Sequence, residues 1–277
     1  MKSSIPDNLK GKDLYQFLVQ NKSLVIAEKK YNTKQSDAFR LSSASVDKDG
    51  NISKSVQVNK DDAESIQRSC VINSCLVLDS HKDLHIPGLW KKSLQETKSF
   101  YLLQEHSMTF RGIITDNVKA FTKRVTWKEL GIDASGDTEV LIFDSTISKS
   151  RNEFMFNEYK NNQVKNHSVG MRYVQIEMAI NDEDYKEEFA VWNKYYDQII
   201  NKDQADDDGY FFAVKEAKIV EGSAVPLGSN HITPVLNTKS EQAQDTQKEP
   251  PTSTQDEPLT KSSDWVEAIK EYTFIKI

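Results

Sequence analysis

The sequence predicts an α+β protein, mainly β, in which a closed or nearly closed β-barrel carries peripheral helices. Three observations lead there. Strand-like runs rich in β-branched and aromatic residues recur along 70–79, 100–106, 110–115, 139–147, 169–180 and 210–220. Few helix-periodic stretches separate them, so strands should pair mostly with strands instead of alternating with crossover helices. The chain of 277 residues is 37% hydrophobic, enough for one enlarged core, while a mean hydropathy of −0.63 leaves a polar remainder for loops and a tail.

Taken in order, Leu14, Phe17 and Leu18 have the spacing of a short opening helix, and Ser23-Leu24-Val25-Ile26-Ala27 reads as extended. Asp47-Lys48-Asp49-Gly50-Asn51 reads as a turn, because Asp, Gly and Asn tolerate the backbone conformations a turn requires. Cys70 and Cys75 are the only cysteines, at an odd separation that points them to opposite faces of a strand. Neither a disulfide framework nor a zinc site follows; two buried, reduced thiols are expected. Asp79, His81, Asp83 and His85 alternate, and in an extended strand all four would face one side and could hold a divalent ion. Pro87 and Gly88 interrupt such a strand, and the competing reading is an acidic turn feeding a helix begun at Pro87.

Residues 151–162 read as a helix before the run that starts at Val169. The insertion 182–209 opens with an amphipathic helix whose Tyr185, Phe189, Trp192, Tyr196 and Ile199 recur by four and three, making a narrow apolar seam. That seam either packs on its own barrel or joins a second copy as a homodimer through 183–200. Asp203-Gln204-Ala205-Asp206-Asp207-Asp208-Gly209 closes the insertion as an acidic loop without the ligand spacing or terminal glutamate of an EF-hand. After Leu236 the composition turns to Gln, Thr, Ser, Lys, Glu and Pro, which cannot bury enough surface to offset ordering entropy. The expected organisation is therefore a domain over 1–236, a disordered linker over 237–262 and an amphipathic segment over 263–277. In that last segment Asp264 can cap a helix with Glu267, and Trp265, Ile269 and Tyr272 line one face. It either docks back on the domain or serves as a tethered recognition element.

A net charge of −6 and a pI near 5.5 give no electrostatic reason to bind nucleic acid or an anionic membrane. Met1 to Asn8 carry no apolar core of the signal-peptide kind, and no stretch approaches the ~18 apolar residues of a membrane span. The expectation is a chain that stays in the cytoplasm where it is made.

Three short segments carry chemistry. Gln104-Glu105-His106, Asn166-His167-Ser168-Val169-Gly170 and Val220-Glu221-Gly222-Ser223-Ala224-Val225 place a histidine, a serine and a glutamate in the order His106, Ser168, Glu221. A serine hydroxyl is a poor nucleophile near neutral pH unless a base takes its proton. An imidazole does so when a carboxylate on its far side fixes its tautomer. His106 and Glu221 fall at ends of strand-like runs and Ser168 at the start of one, where a rigid frame can gather them. His167 precedes the serine and, by strand alternation, should look away from it; the competing reading makes it an alternative base or a tuning group. The Gly-x-Ser-x-Gly elbow is absent because Asn166 stands where its first glycine would be, and neither a phosphate-cradling loop nor a metalloprotease helix motif is present.

The serine segment, running on through Met171-Arg172-Tyr173-Val174, resembles the Ser-Ile-Gly-Phe type motif of tailed-phage prohead proteases, capsid-maturation enzymes related to herpesvirus assemblin. Leu102-Leu103-Gln104-Glu105-His106 resembles their histidine motif. The Glu221 segment through Pro226-Leu227-Gly228-Ser229-Asn230 to Thr233-Pro234 resembles their glutamate motif and the turn after it. Residues 79–90 are similar to the acidic loop and Pro-Gly-aromatic helix start ahead of the histidine, and the likeness spans roughly 41–236. The resemblance implies an assemblin-like barrel and a serine endopeptidase with Ser168 as nucleophile, His106 as general base and acid, and Glu221 orienting the imidazole. It implies capsid and scaffold proteins as substrates, self-cleavage within 237–262, no cofactor or metal, and action inside the immature phage head in the bacterial cytoplasm. By looser analogy Gly228, Ser229 and Asn230 would supply oxyanion-hole donors. The reading from another class is a non-catalytic scaffold or adaptor of the assembling capsid; a third, metal-dependent reading would use Asp79, His81, Asp83 and His85.

Overall fold

In a computed structural model, which describes residues 5–6, 8–37, 45–46, 52–53 and 64–226, the chain is α+β with more strand than helix. Two helices open it, α1 (Gly11–Gln20) and α2 (Lys22–Tyr31), followed by β1 (Lys34–Asp37) and the short antiparallel pair β2 (Ser45–Val46) and β3 (Ile52–Ser53). Then come β4 (Ser65–Ser74), β5 (Asp83–His85), α3 (Lys91–Glu96), β6 (Leu102–Gln104), β7 (Ile113–Thr115), β8 (Val118–Thr126) and β9 (Asp137–Ser148). The last described part holds α4 (Glu153–Lys160), β10 (Asn166–Ile180), α5 (Lys186–Tyr195), a 3-10 turn (Tyr196–Gln198), α6 (Lys202–Asp208) and β11 (Tyr210–Val225).

Two sheets dominate. One runs β1-β10-β11-β6-β7, with β5 also pairing β11; the other is β4-β9-β8. The hydrogen-bonded paths do not close into the barrel expected from the sequence. The frame is the long antiparallel β10–β11 ribbon, whose far edge pairs in parallel with β5 at Phe212–Val214 and with β6 at Gly222–Ala224. The second sheet packs against it so closely that a β-carbon at Gly222 would fall 2.7 Å from Phe143 and 3.2 Å from Ile72. Glycine at 222 is what lets β9 and β4 approach the ribbon. Ile72, Leu102, Leu141, Ile142, Phe143, Val169 and Met171 are buried in this core.

Several expectations are corrected. Ser23–Ala27 is helical, not extended: Asn21 joins α1 to α2 with its amide N–H on Phe17 O, and its carbonyl accepts from Val25 N–H at 3.0 Å. Val25 and Lys29, four apart, are the buried face of α2, and the helix formers Ala27, Glu28, Lys29 and Lys30 outweigh Val25 and Ile26. The acidic segment 203–209 is not a loop but α6, ended by Gly209 in the left-handed region at φ +67°. The helix expected at Pro87 starts later, at Lys91, after a turn. The alternating Asp79, His81, Asp83 and His85 do not lie on one extended strand, because the chain turns sharply between Asp79 and Asp83 and Leu78 bridges back to Leu84. β8 had no counterpart in the sequence reading.

The seam of the insertion turns inward. Phe189, Trp192, Tyr195, Tyr196 and Ile199 pack with Leu78, Leu84 and Phe211 in a second apolar cluster, and Tyr185 joins the main core. Cys70 and Cys75 are both buried free thiols in the main core. The turn expected at 47–51, the oxyanion donors expected at Gly228, Ser229 and Asn230, the expected linker 237–262 and the expected helix of 263–277 lie outside the described residues.

Candidate active site

His106 reaches the site by a backbone device. After β6 ends at Gln104, Glu105 and His106 both take positive φ, 51° and 57°, so the chain folds back over the end of β11. The Glu105 N–H is held by Ala224 O at 2.9 Å, and the His106 N–H donates to Ser223 Oγ at 3.1 Å. This fold-back aims the imidazole at Glu221, whose Oε1 lies 2.6 Å from His106 Nδ1. A carboxylate only accepts, so Nδ1 carries a proton, and in the neutral imidazole the lone pair then lies on Nε2, the arrangement a general base needs. Glu221 is 4% exposed along its side chain and the imidazole 14%. The imidazole is therefore anchored in the interior with its edge within reach of solvent.

The ribbon supplies the rest. Its register sets Ser168 opposite Ser223 and Gly170 opposite Glu221, so the two strand motifs meet residue for residue on one face. Immediately after, the register shifts, with Val220 extra between the partners Glu221 and Ile219. Such a bulge twists a strand locally and re-aims its side chains. Ser223 Oγ donates to Glu221 Oε2 at 2.5 Å, so the carboxylate is bonded through both oxygens. The Glu221 side chain also lies across Gly170: a β-carbon there would sit 2.8 Å from Glu221 Cδ and closer still to Oε1.

The structure thus joins His106 to Glu221 directly and puts Ser168 two residue pairs along the ladder from Glu221. Ser168 is wholly buried, and its Oγ has no hydrogen-bond partner among the described residues. A buried hydroxyl left unpaired costs about 1–3 kcal/mol, so its neighbourhood is not built for its stability alone. His167 faces away, as alternation requires: Tyr159 Oη lies 2.8 Å from its Nε2, and desolvation holds that imidazole down at about 4, hence neutral.

Asp79, His81, Asp83 and His85 are engaged elsewhere. Asp79 Oδ1 accepts the N–H groups of His81 and Asp83, each at 2.9 Å. Asp83 pairs with Lys29 and accepts from Tyr173 Oη at 2.9 Å, and His85 Nδ1 meets Asn73 Nδ2 at 3.0 Å. Among the described residues no group of three or more His, Cys, Asp or Glu is placed to hold a metal ion.

Gly170 and Ser223 escaped the sequence reading. A signal was present: each lies two residues from an assigned residue, hence on the same strand face. Comparison with protein-family models, curated proteins and solved structures finds no match to this chain.

Proposed function

We propose that the protein is a serine endopeptidase of the prohead-protease type, in which Ser168 attacks a peptide carbonyl, His106 Nε2 accepts the serine proton and Glu221 steadies the imidazolium. The His106 proton then passes to the leaving amine, and water, deprotonated in turn by His106, releases the acyl group from Ser168. The observation that carries this reading is the 2.6 Å contact from His106 Nδ1 to Glu221 Oε1, between residues 115 apart in sequence, beside a buried serine whose hydroxyl is uncommitted. Met108 and Phe110, 71% and 88% exposed on the loop after His106, offer apolar surface for a peptide substrate. The reading extends to capsid and scaffold proteins as substrates, to action inside the immature head, and to an assemblin-like barrel for which the two packed sheets are the halves. Self-association through 183–200 would use the outer face of α5, since its seam is packed inward.

The burial of Ser168 favours a second reading, a non-catalytic adaptor of the assembling capsid that keeps the frame without the reaction. Mass spectrometry of purified wild type beside Ser168→Ala separates the two. The protease reading expects a shortened wild-type chain and an intact variant; identical intact masses, with no trimming of added scaffold protein, favour the adaptor.

A further inference from the structure

We infer that Gly170 and Ser223 are positioning residues for Glu221, a cradle that fixes its carboxylate against His106; this rests on the proposed protease reading. The Glu221 side chain has two rotatable bonds before its carboxyl group, and a free carboxylate on such a stem would sample many rotamers. Two features on one face of the ribbon remove that freedom. Ser223, two residues on, donates to Oε2 at 2.5 Å while accepting the His106 N–H at 3.1 Å. One hydroxyl thereby ties the carboxylate to the backbone of the histidine it serves. From the facing strand, Gly170 leaves bare the space the carboxyl group occupies, where any β-carbon would push it aside.

The ladder explains both motifs together. Ser168 and Gly170 are two apart on β10, Glu221 and Ser223 two apart on β11, and the register crosses them, Ser168 to Ser223 and Gly170 to Glu221. Each strand gives one residue with a reactive role and one that holds a reactive partner in place. Gly170 is not among the glycines with positive φ, so alanine suits its backbone; what it would displace is the far end of a flexible side chain. Gly170→Ala should therefore fold and misplace Glu221.

The test compares wild type, Ser223→Ala, Gly170→Ala and the double variant by the rate at which a fluorophosphonate phosphonylates Ser168, the serine oxygen bonding to phosphorus as fluoride leaves. It also follows the low-field proton resonance of His106 Nδ1–H, assigned by its loss in His106→Gln. Each single variant should react about 10- to 100-fold more slowly, the range for losing one hydrogen bond to a charged group. The resonance should move upfield or vanish in each. The double variant should be little worse than either single, because both act on the same carboxylate. A resonance unmoved in both variants, with rates within about twofold of wild type, overturns the inference, as does a wild type lacking that resonance. Wild type that shows the resonance but never reacts with the fluorophosphonate overturns the protease reading, and the resonance in the variants still decides whether the cradle positions Glu221. Should Ser223→Ala not fold, Gly170→Ala alone decides.

Discussion

His106 and Glu105 hold left-handed backbone conformations that cost a residue with a β-carbon roughly 1–2 kcal/mol each. Two hydrogen bonds to the end of β11, one to the Ala224 carbonyl and one to the Ser223 hydroxyl, offset part of that, and the bond from Nδ1 to a buried carboxylate offsets more, because hydrogen bonds to charged groups are the strong ones. Strain kept at one residue and relieved only by contacts that aim its side chain is a pattern found where geometry serves chemistry. Glu221 is the acceptor on which the imidazole depends. Glu221→Gln keeps size and shape but can offer an N–H to Nδ1, which favours the tautomer with its proton on the wrong nitrogen. Phosphonylation of Ser168 by a fluorophosphonate should then fall on the order of 10⁴-fold with the fold intact. A loss smaller than about tenfold would mean that Glu221 does not set the tautomer.

Among the elements, α2, β5 and β10 meet in a buried polar network some distance along the ribbon from the candidate site. Lys29 of α2 bonds Asp83 of β5 and the carbonyl of His81, and lies 4.1 Å from the Phe212 ring centre; Tyr173 of β10 closes the group on Asp83. Burial, with the nearby Asp83 charge, raises Asp79 from 3.8 to about 7, while burial lowers His85 from 6.5 to about 4. His167, near the site, is lowered alike. These shifts act on stability in opposite directions. Between pH 4 and 6.5 the unfolded chain takes up protons on both histidines that the folded one refuses, so their contribution makes stability rise with pH. Asp79 works against them: the unfolded carboxyl ionises near 4 and the folded one only near 7, so over that span stability falls as pH rises. Over pH 4 to 6.5 the two imidazoles and the one carboxyl therefore oppose each other, and above that span only the carboxyl acts. Asp79→Asn keeps an oxygen for the His81 and Asp83 amides and removes the ionisation. Urea unfolding should show the variant more stable than wild type at pH 8, on the order of 1 kcal/mol or more, with the difference shrinking toward pH 4. A variant less stable at pH 8 would mean that the carboxylate earns its place there.

For the whole molecule, the strand content and the core were legible because long runs such as 139–147 and 169–180 are apolar enough to declare themselves, and β9 and β10 cover them. The joined helices were half legible: Leu14 and Leu18 show helical spacing, whereas the β-branched pair Val25 and Ile26 disguises α2. β8 was missed because it is an edge strand, mostly half-buried, whose Lys119, Lys123 and Arg124 hide any alternation. The run 203–208 misled because four aspartates resemble a loop, though Ala205 is buried and Gly209 ends a helix. At the site, the order of His106, Ser168 and Glu221 was readable from motifs. The register that puts Gly170 against Glu221 and Ser168 against Ser223 was not, since it depends on a bulge at Val220 that local sequence does not announce. The central claim is that this frame activates Ser168. The most direct measurement is peptide mapping of the chain after reaction with a fluorophosphonate, beside His106→Ala. The account expects one adduct, on Ser168, absent from the variant and unaffected by chelators; no adduct on Ser168 in the folded wild type, or one that survives loss of His106, would contradict it.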